Sequence, residues 1–284
     1  MSSNVKRGKI RVSDIIAKTI IWTAAILAVA ALAAIIIYIL AKGLPHITWE
    51  FISTPYKGEQ EGILPMILTT LYVILVTIII ATPIGIFAAI YLTQYAKQGR
   101  LLNFIRFATE SLAGIPSIIY GLFGFLFFVN ILQLKFSIIA GALTLSIMVL
   151  PTIIRTTEEA IKTVPISYKE GSLALGATLW TTIYKVILPT AIPGIMTAVI
   201  LSIGRIVGET AAVYFTVGMV TRIPHAVSDS GRTLAVHLYL LAKEGISFEQ
   251  SYATASILII IVALINLCAT IIAGKLKKKV TGKA

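Results

Sequence analysis

The chain has 284 residues, 57% of them hydrophobic and 13% charged, with a mean hydropathy of +0.94 and a formal net charge of +12. A soluble domain carries roughly 25% charged residues, so the composition excludes a soluble enzyme and gives an integral membrane protein. The basic excess lies beside long apolar runs, where lipid headgroups and topology signals account for it without a nucleic-acid partner.

A membrane-crossing helix needs about 20 apolar residues, and six stretches qualify: 19–41, 64–94, 107–132, 136–155, 187–217 and 252–274. The expected fold class is therefore all-α, a polytopic membrane protein with six transmembrane helices. The first stretch follows Lys6, Arg7, Lys9, Arg11 and Lys18. Ala28-Val29-Ala30 has the small-residue form of a signal-peptidase site, but the apolar run continues to Ala41, too long for a cleaved signal, so the helix is read as retained. Pro83, Pro116 and Pro193 fall within or near the ends of the second, third and fifth stretches. Proline breaks the hydrogen-bond ladder, which lipid tolerates only where protein or a cavity satisfies the freed carbonyl. Small residues four apart (Ala81/Gly85/Ala89, Ser117/Gly121, Gly204/Gly208) predict close helix packing. No internal repeat is evident, which argues against an inverted-repeat carrier.

Orientation follows from the basic residues. The N-terminus, the 95–106 loop, the 155–185 connection and the C-terminal tail (Lys275, Lys277, Lys278, Lys279, Lys283) hold 17 of the 24. The opposite side holds 6, and Arg205 lies inside a span. Both termini are expected in the cytoplasm of a prokaryote, with the chain in its plasma (inner) membrane. Cys268 can form no intrachain disulfide, and His46, His225 and His237 are scattered, read as loop or interfacial histidines rather than metal ligands.

Residues 156–185 form the longest connection on the basic side. Thr156 and Thr157 before Glu158 and Glu159 read as a helix start, and Pro165 interrupts. Ser167 can cap a second short helix toward Leu175 that presents Leu173, Leu175, Leu179 and Trp180, with Gly176 suited to the reversal. On amphipathicity alone, this is a turn lying on the bilayer. Its spacing says more: Glu170-Gly171-Ser172, Gly176, then nine residues before Val186-Ile187-Leu188-Pro189. This resembles the EAA loop of binding-protein-dependent ABC permeases, in which the segment is the coupling helix held by an ATPase subunit. Glu170, Gly176, Leu188 and Pro189 match directly, while Gly171 and Ser172 replace two alanines and stay small. No Gly-x4-Gly-Lys-Ser/Thr loop is present; the Gly-Lys pairs at 8–9, 274–275 and 282–283 lack its spacing. ATP and Mg are thus expected on a partner subunit, and no cofactor on this chain.

Arg205 and Glu209 sit in the fifth stretch, and a charge there needs a partner and a reason. At 100° per residue, Ser202, Arg205, Glu209, Ala212 and Thr216 share one face. Two readings stay open: a structural ion pair that fixes packing, or a stripe along the solute path. Arginine suits an oxyanion because its planar fork donates two parallel hydrogen bonds. Arg155, at the end of the fourth stretch, is the second cation, with a topology anchor as its plainer role.

Three runs narrow the resemblance. They are Leu150-Pro151-Thr152-Ile153-Ile154-Arg155-Thr156-Thr157-Glu158-Glu159-Ala160, Gly114-Ile115-Pro116-Ser117-Ile118-Ile119-Tyr120-Gly121, and Gly204-Arg205-Ile206-Val207-Gly208-Glu209-Thr210-Ala211. They are similar to phosphate-transport permeases of the PstA type, over about residues 62–272. The resemblance implies a type I ABC importer (MetI-like) transmembrane domain over 61–275, with the coupling loop at 156–189. An N-terminal part (1–60) precedes it and a basic tail (276–284) comes after it. It also implies a PstC-like second permease, a PstB-like ATPase dimer and a PstS-like external phosphate-binding protein, and it places Arg155, Arg205 and Glu209 in the translocation machinery. The loop 218–251, with Arg222, Arg232, His237 and an interfacial helix at Leu234–Lys243, is the expected contact with the binding protein. A permease for sulfate or molybdate, or a self-contained carrier or channel, are the alternatives. No nucleophile–base or metal constellation supports an enzyme.

Overall fold

A computed structural model describes residues 12–57 and 60–281, with side chains described for 15–56 and 62–275. Lys6, Arg7, Lys9, Arg11 and Lys283 lie outside the described residues, as do the side chains of Lys57, Lys277, Lys278 and Lys279. α1 (Val12–Gly43) is apolar all round, as suits a lipid-facing rod. A 3-10 turn and α2 (Trp49–Ser53) come next, the latter capped by the Thr48 hydroxyl accepting from Phe51 N at 3.1 Å. β1 (Tyr56–Lys57) pairs antiparallel with β2 (Gln60–Glu61), a two-rung ladder in an otherwise helical protein.

The bundle proper begins with α3 (Leu64–Ile90), continued by a π turn at Tyr91–Tyr95. α4 (Arg100–Ala113) and α5 (Ser117–Gly124, continued by a π turn to Ile131) lead into α6 (Ile138–Lys162). α7 (Ile166–Ala174) and α8 (Leu179–Thr182) precede α9 (Leu188–Val207), with a π turn at Ile183–Ile187 between α8 and α9. That wide turn lies where Pro189 has no N–H to offer the preceding turn. α10 (Ala211–Thr216), α11 (Leu234–Glu244) and α12 (Phe248–Thr281) complete the chain.

Five helices are long and apolar enough to cross a bilayer, and the sixth crossing is a bent pair, α4 with α5, turning by 99°. This corrects the expected straight span at 107–132. Pro116 denies Ile115 the helical region, so the helix breaks at Gly114–Pro116 and α5 alone turns into the bundle. α4 is amphipathic, burying Leu102 while Leu101, Phe104 and Phe107 stay exposed. Two more expectations change. α6 runs through Lys162, so Thr156 to Glu159 lie inside a helix rather than starting one. The fifth crossing ends at Val207 rather than 217.

α3 and α6 form the centre. Ala81, Leu145, Met148, Val149 and Ile153 are buried with Val207, Ala212 and Val213 in one cluster. A second cluster joins Ala89, Ile90, Ala160, Ile161, Ile183, Ile187 and Ala191 near the basic side. The small residues at 81, 85 and 89 let α3 close on α6: a Cβ at Gly85 would collide with the Ile153 side chain. Gly121 likewise sits against Ala212, whereas Gly204 and Gly208 meet no neighbouring helix among the described residues. Gly85→Val is expected to cost about 1–3 kcal/mol by overpacking, seen as a lower thermal transition in detergent. Gly99→Val, in open space, should leave the transition unchanged.

Candidate functional site

The fifth crossing opens at Gly208, and the chain resumes beyond it as a separate helix. α9 ends with Gly208 as its cap, and Glu209 Oε1 accepts from Ala212 N at 3.1 Å, closing the first turn of α10. Of the two readings left open, the ion pair is not formed: among the described residues, Arg205 makes no salt bridge. It is half-buried and lies within electrostatic range of Tyr120 on α5, whose hydroxyl donates to Leu112 O at 2.7 Å.

The single polar face is also corrected. A count of 100° per residue holds only within one continuous helix, and this one stops at Gly208. Ser202 and Thr216 are buried, their hydroxyls donating back to Ala198 O (2.8 Å) and Ala212 O (2.6 Å). Arg205 and Glu209 thus remain the two half-buried charges beside the break.

Beyond α10 the chain folds over the end of α6. The first amides of a helix have no partner within it. Here Ser137 N bonds Thr216 O (3.0 Å), Ile138 N bonds Asp229 O (2.9 Å) and Ile139 N bonds Val227 O (2.8 Å), while Ala140 N donates to the Ser137 hydroxyl. Asp229 Oδ2 accepts from His225 N and Ala226 N, and these bonds hold its carboxyl below the usual carboxylate range. α11 is then pinned by Leu234 N donating to Thr70 Oγ1 at 2.9 Å. His237, read from sequence as a loop or interfacial residue, is 1% exposed, edge-on to Tyr56 with Arg232 3.4 Å from Nδ1. Burial first, and the Arg232 charge second, push its pKa down to about 4.

On the basic side, Arg155 is not alone. It pairs with Glu110 of α4 at 3.3 Å, and Arg106 of α4 pairs with Glu158 at 3.5 Å. These four, with Glu159, Lys162 and Thr109, line a cavity of about 140 Å³. Sequence reasoning missed Arg106, Glu110 and Glu158 as a group. The assignment of 107–132 to one span hid the four-residue spacing of Arg106 and Glu110 on an amphipathic helix.

The segment Glu170–Pro189 folds as α7, a reversal, α8 and the start of α9. The helix begins earlier than expected, capped at Pro165 rather than two residues on at Ser167. Gly176 has φ +82, with its N–H on Leu173 O and Ala177 N on Ser172 O. This is a Schellman reversal, whose left-handed residue favours glycine. Ser172 Oγ lies 2.9 Å from Thr182 Oγ1, tying α7 to α8, and Lys169 Nζ donates to Gln94 Oε1 at 2.9 Å, tying α7 to the end of α3. Leu188 packs into the second core cluster. Glu170 and Gly171 are exposed, with open space around Gly171. Ile166, Tyr168, Leu173 and Trp180 are exposed, and Leu175 is 91% exposed. Large apolar side chains left exposed along one short segment are characteristic of an interaction surface; Leu179, expected to join them, is half-buried instead. Among the described residues no three His, Cys, Asp or Glu side chains group as a metal site.

Residues 81–282 match the family described as binding-protein-dependent transport system inner membrane component. The chain is 33% identical to a probable ABC transporter permease, YqgI, of Bacillus subtilis (strain 168), over 95% of this chain and 98% of that one. It is also 33% identical to the phosphate transport system permease protein PstA 1 of Mycobacterium tuberculosis (strain CDC 1551 / Oshkosh), over 92% and 89%. Among solved structures, a bacterial alginate ABC transporter in complex with its periplasmic protein superposes with a TM-score of 0.67 at 16% identity, over 95% and 96%. An inward-facing MetNI methionine ABC transporter gives 0.59 at 22% identity, over 76% and 94%. The two structural likenesses bear on the fold alone.

Two measurements probe this region. Glu209→Ala removes the acceptor for Ala212 N at the start of α10 and should cost about 1 kcal/mol, whereas Glu209→Gln keeps an acceptor and should stay near wild type in detergent thermal unfolding. Between pH 6.5 and about 4, unfolded His237 takes up a proton that the folded site refuses, so stability falls as pH falls through that window. The loss is on the order of 3 kcal/mol. His237→Gln should flatten that part of the pH–stability curve.

Proposed function

The chain belongs to the binding-protein-dependent transport system inner membrane component family, and from that membership we propose that it is a permease subunit of an ATP-driven importer of inorganic phosphate. The observation that carries the cargo is Arg205. A guanidinium half-buried beside a helix break, with no carboxylate paired to it among the described residues, is an electrostatic demand that an oxyanion satisfies. Relatives named as phosphate permeases favour phosphate over sulfate or molybdate. Glu209, committed to the α10 amide, holds the break open beside Arg205 and tempers the attraction so that the anion passes on.

The basic side faces the cytoplasm in this reading, with both termini there. α7 and its exposed Ile166, Tyr168 and Leu175 enter a groove on a PstB-like ATPase dimer, which binds ATP and Mg and carries out hydrolysis. Glu170 and Gly171, both exposed and without a shaping role among the described residues, face that partner. A PstC-like permease completes the passage, and a PstS-like binding protein delivers phosphate to the opposite side, beside α11 and the loop before it. Fuel is needed: moving a dianion inward against a negative-inside potential costs about 4–5 kcal/mol per 100 mV.

The test is radiolabelled phosphate uptake into vesicles holding the full complex, with and without competing sulfate. Arg205→Ala should reduce uptake at least about 100-fold while the ATPase still copurifies. Unchanged uptake in that variant would remove Arg205 from the path, and equal competition by sulfate would overturn phosphate selectivity.

A further inference from the structure

The geometry points to Arg106 and Glu158 as positioning residues that lock α4 onto α6 in one register, so that a movement of α7 reaches Arg205 without slip. This rests on the reading of α7 as the docking element. α6 is the main neighbour of α4, and Leu102 is the one side chain that α4 buries. What distinguishes one register of the two helices from the next is therefore charge. Arg106 faces Glu158 and Glu110 faces Arg155, two antiparallel rungs.

The order of charges makes that register unique. Along α6 the side chains run Arg155, Glu158, Glu159, Lys162. Sliding α4 by one turn toward the end of α6 would set Arg106 against Lys162 and Glu110 against Glu158 and Glu159. Sliding it the other way would set Arg106 against Arg155. Every neighbouring register opposes like charges, which is costly in a half-buried joint. The Arg106–Glu158 rung is also the buried one. Glu158 has a side chain 8% exposed, and both Glu158 Oε1 and Arg106 Nε are buried without a hydrogen-bond partner among the described residues. An incompletely bonded pair of this kind contributes little net stability, so its value here lies in fixing the register.

The joint sits between two rigid neighbours. On one side, α6 passes through Thr163 to Pro165 directly into α7. On the other, α4 enters the Gly114–Pro116 elbow, braced by Tyr120 Oη donating to Leu112 O and by Ile115 N on Leu112 O at 3.2 Å. Beyond the elbow, α5 packs on α10 with Gly121 against Ala212, whose N–H is held by Glu209 at the break where Arg205 sits. A displacement of α7 is thus handed to α6, across the rungs to α4, and round the elbow to the break beside Arg205.

The experiment uses the complete complex in proteoliposomes. Glu158→Arg should cut phosphate moved per ATP hydrolysed about tenfold, while the ATPase subunit stays bound. The double variant Arg106→Glu with Glu158→Arg should restore the ratio to within about threefold, because it rebuilds the rung with its sense reversed. A purely structural role predicts the same ratio in every variant that assembles, and that result overturns the proposal, as does a failed rescue in an assembled complex. If Glu158→Arg does not assemble, Glu158→Gln is read in its place by the same criterion. A second readout does not depend on cargo. In a Cys268→Ala background, spin labels at Leu101→Cys on α4 and Thr163→Cys after α6 should keep their separation when ATP is added. The same labels should change separation on ATP in Arg106→Glu, and an ATP-induced change in the parent would refute the lock. A parent complex that takes up no phosphate sinks the cargo assignment and leaves this measurement standing.

Discussion

Inside a bilayer no water is at hand to satisfy a broken helix, so the gap at Gly208–Thr210 in the fifth crossing has to carry its own donors and acceptors. Glu209 meets that requirement at one amide by accepting from Ala212 N. The rest depends on where α10 then leads. Thr216, Val227 and Asp229 offer their carbonyls to the opening amides of α6, so two helix ends that would each be unsatisfied are closed by one loop. α11 is drawn down with that loop onto α3, and His237 is buried as a neutral ring in consequence. Arg205 is left at the margin of the break, held by helix α9 rather than by a counter-charge.

The segment at the other end obeys a different rule. Its side chains divide into those that shape it and those with no shaping role among the described residues. Gly176 is required by a left-handed reversal, Ser172 by the bond to Thr182, and Leu188 by the second core. Glu170 and Gly171 are exposed, and Gly171 lies in open space. A residue pattern only half explained by its own fold is what a docking element presents, and the exposed leucine at its tip would put an apolar side chain at the centre of such a contact.

Much of this was legible from residues alone, because hydropathy and proline report on local physics. Five of six crossings, the packing role of Ala81, Gly85 and Ala89, and the reversal at Gly176 all depend on a residue and its near neighbours. The errors lie where two distant parts decide. Pro116 was visible, yet whether it kinks a span or ends one depends on α6 offering Arg155 and Glu158 to a helix lying across its end. The face shared by Ser202, Arg205, Glu209 and Thr216 presumed a continuous helix, whereas at the break after Gly208 Glu209 turns its carboxylate onto Ala212 N and leaves that face. His237 looked polar and exposed because its burial is made by Thr70 and Tyr56, far back in the chain.

The helix α1 stands apart from this economy. None of its apolar window is buried, and it touches the bundle through α12, at Gly43 and through Ser256 Oγ donating to Ile39 O at 3.2 Å. It carries a dense basic flank, and Lys and Arg beside an apolar helix bias which way a membrane chain is threaded. Along the lipid-facing window of α1 the constraint is apolarity over a bilayer's thickness rather than fit to a neighbour, so exchanges among apolar side chains are tolerated there in ways that Gly85 or Ile153 does not allow.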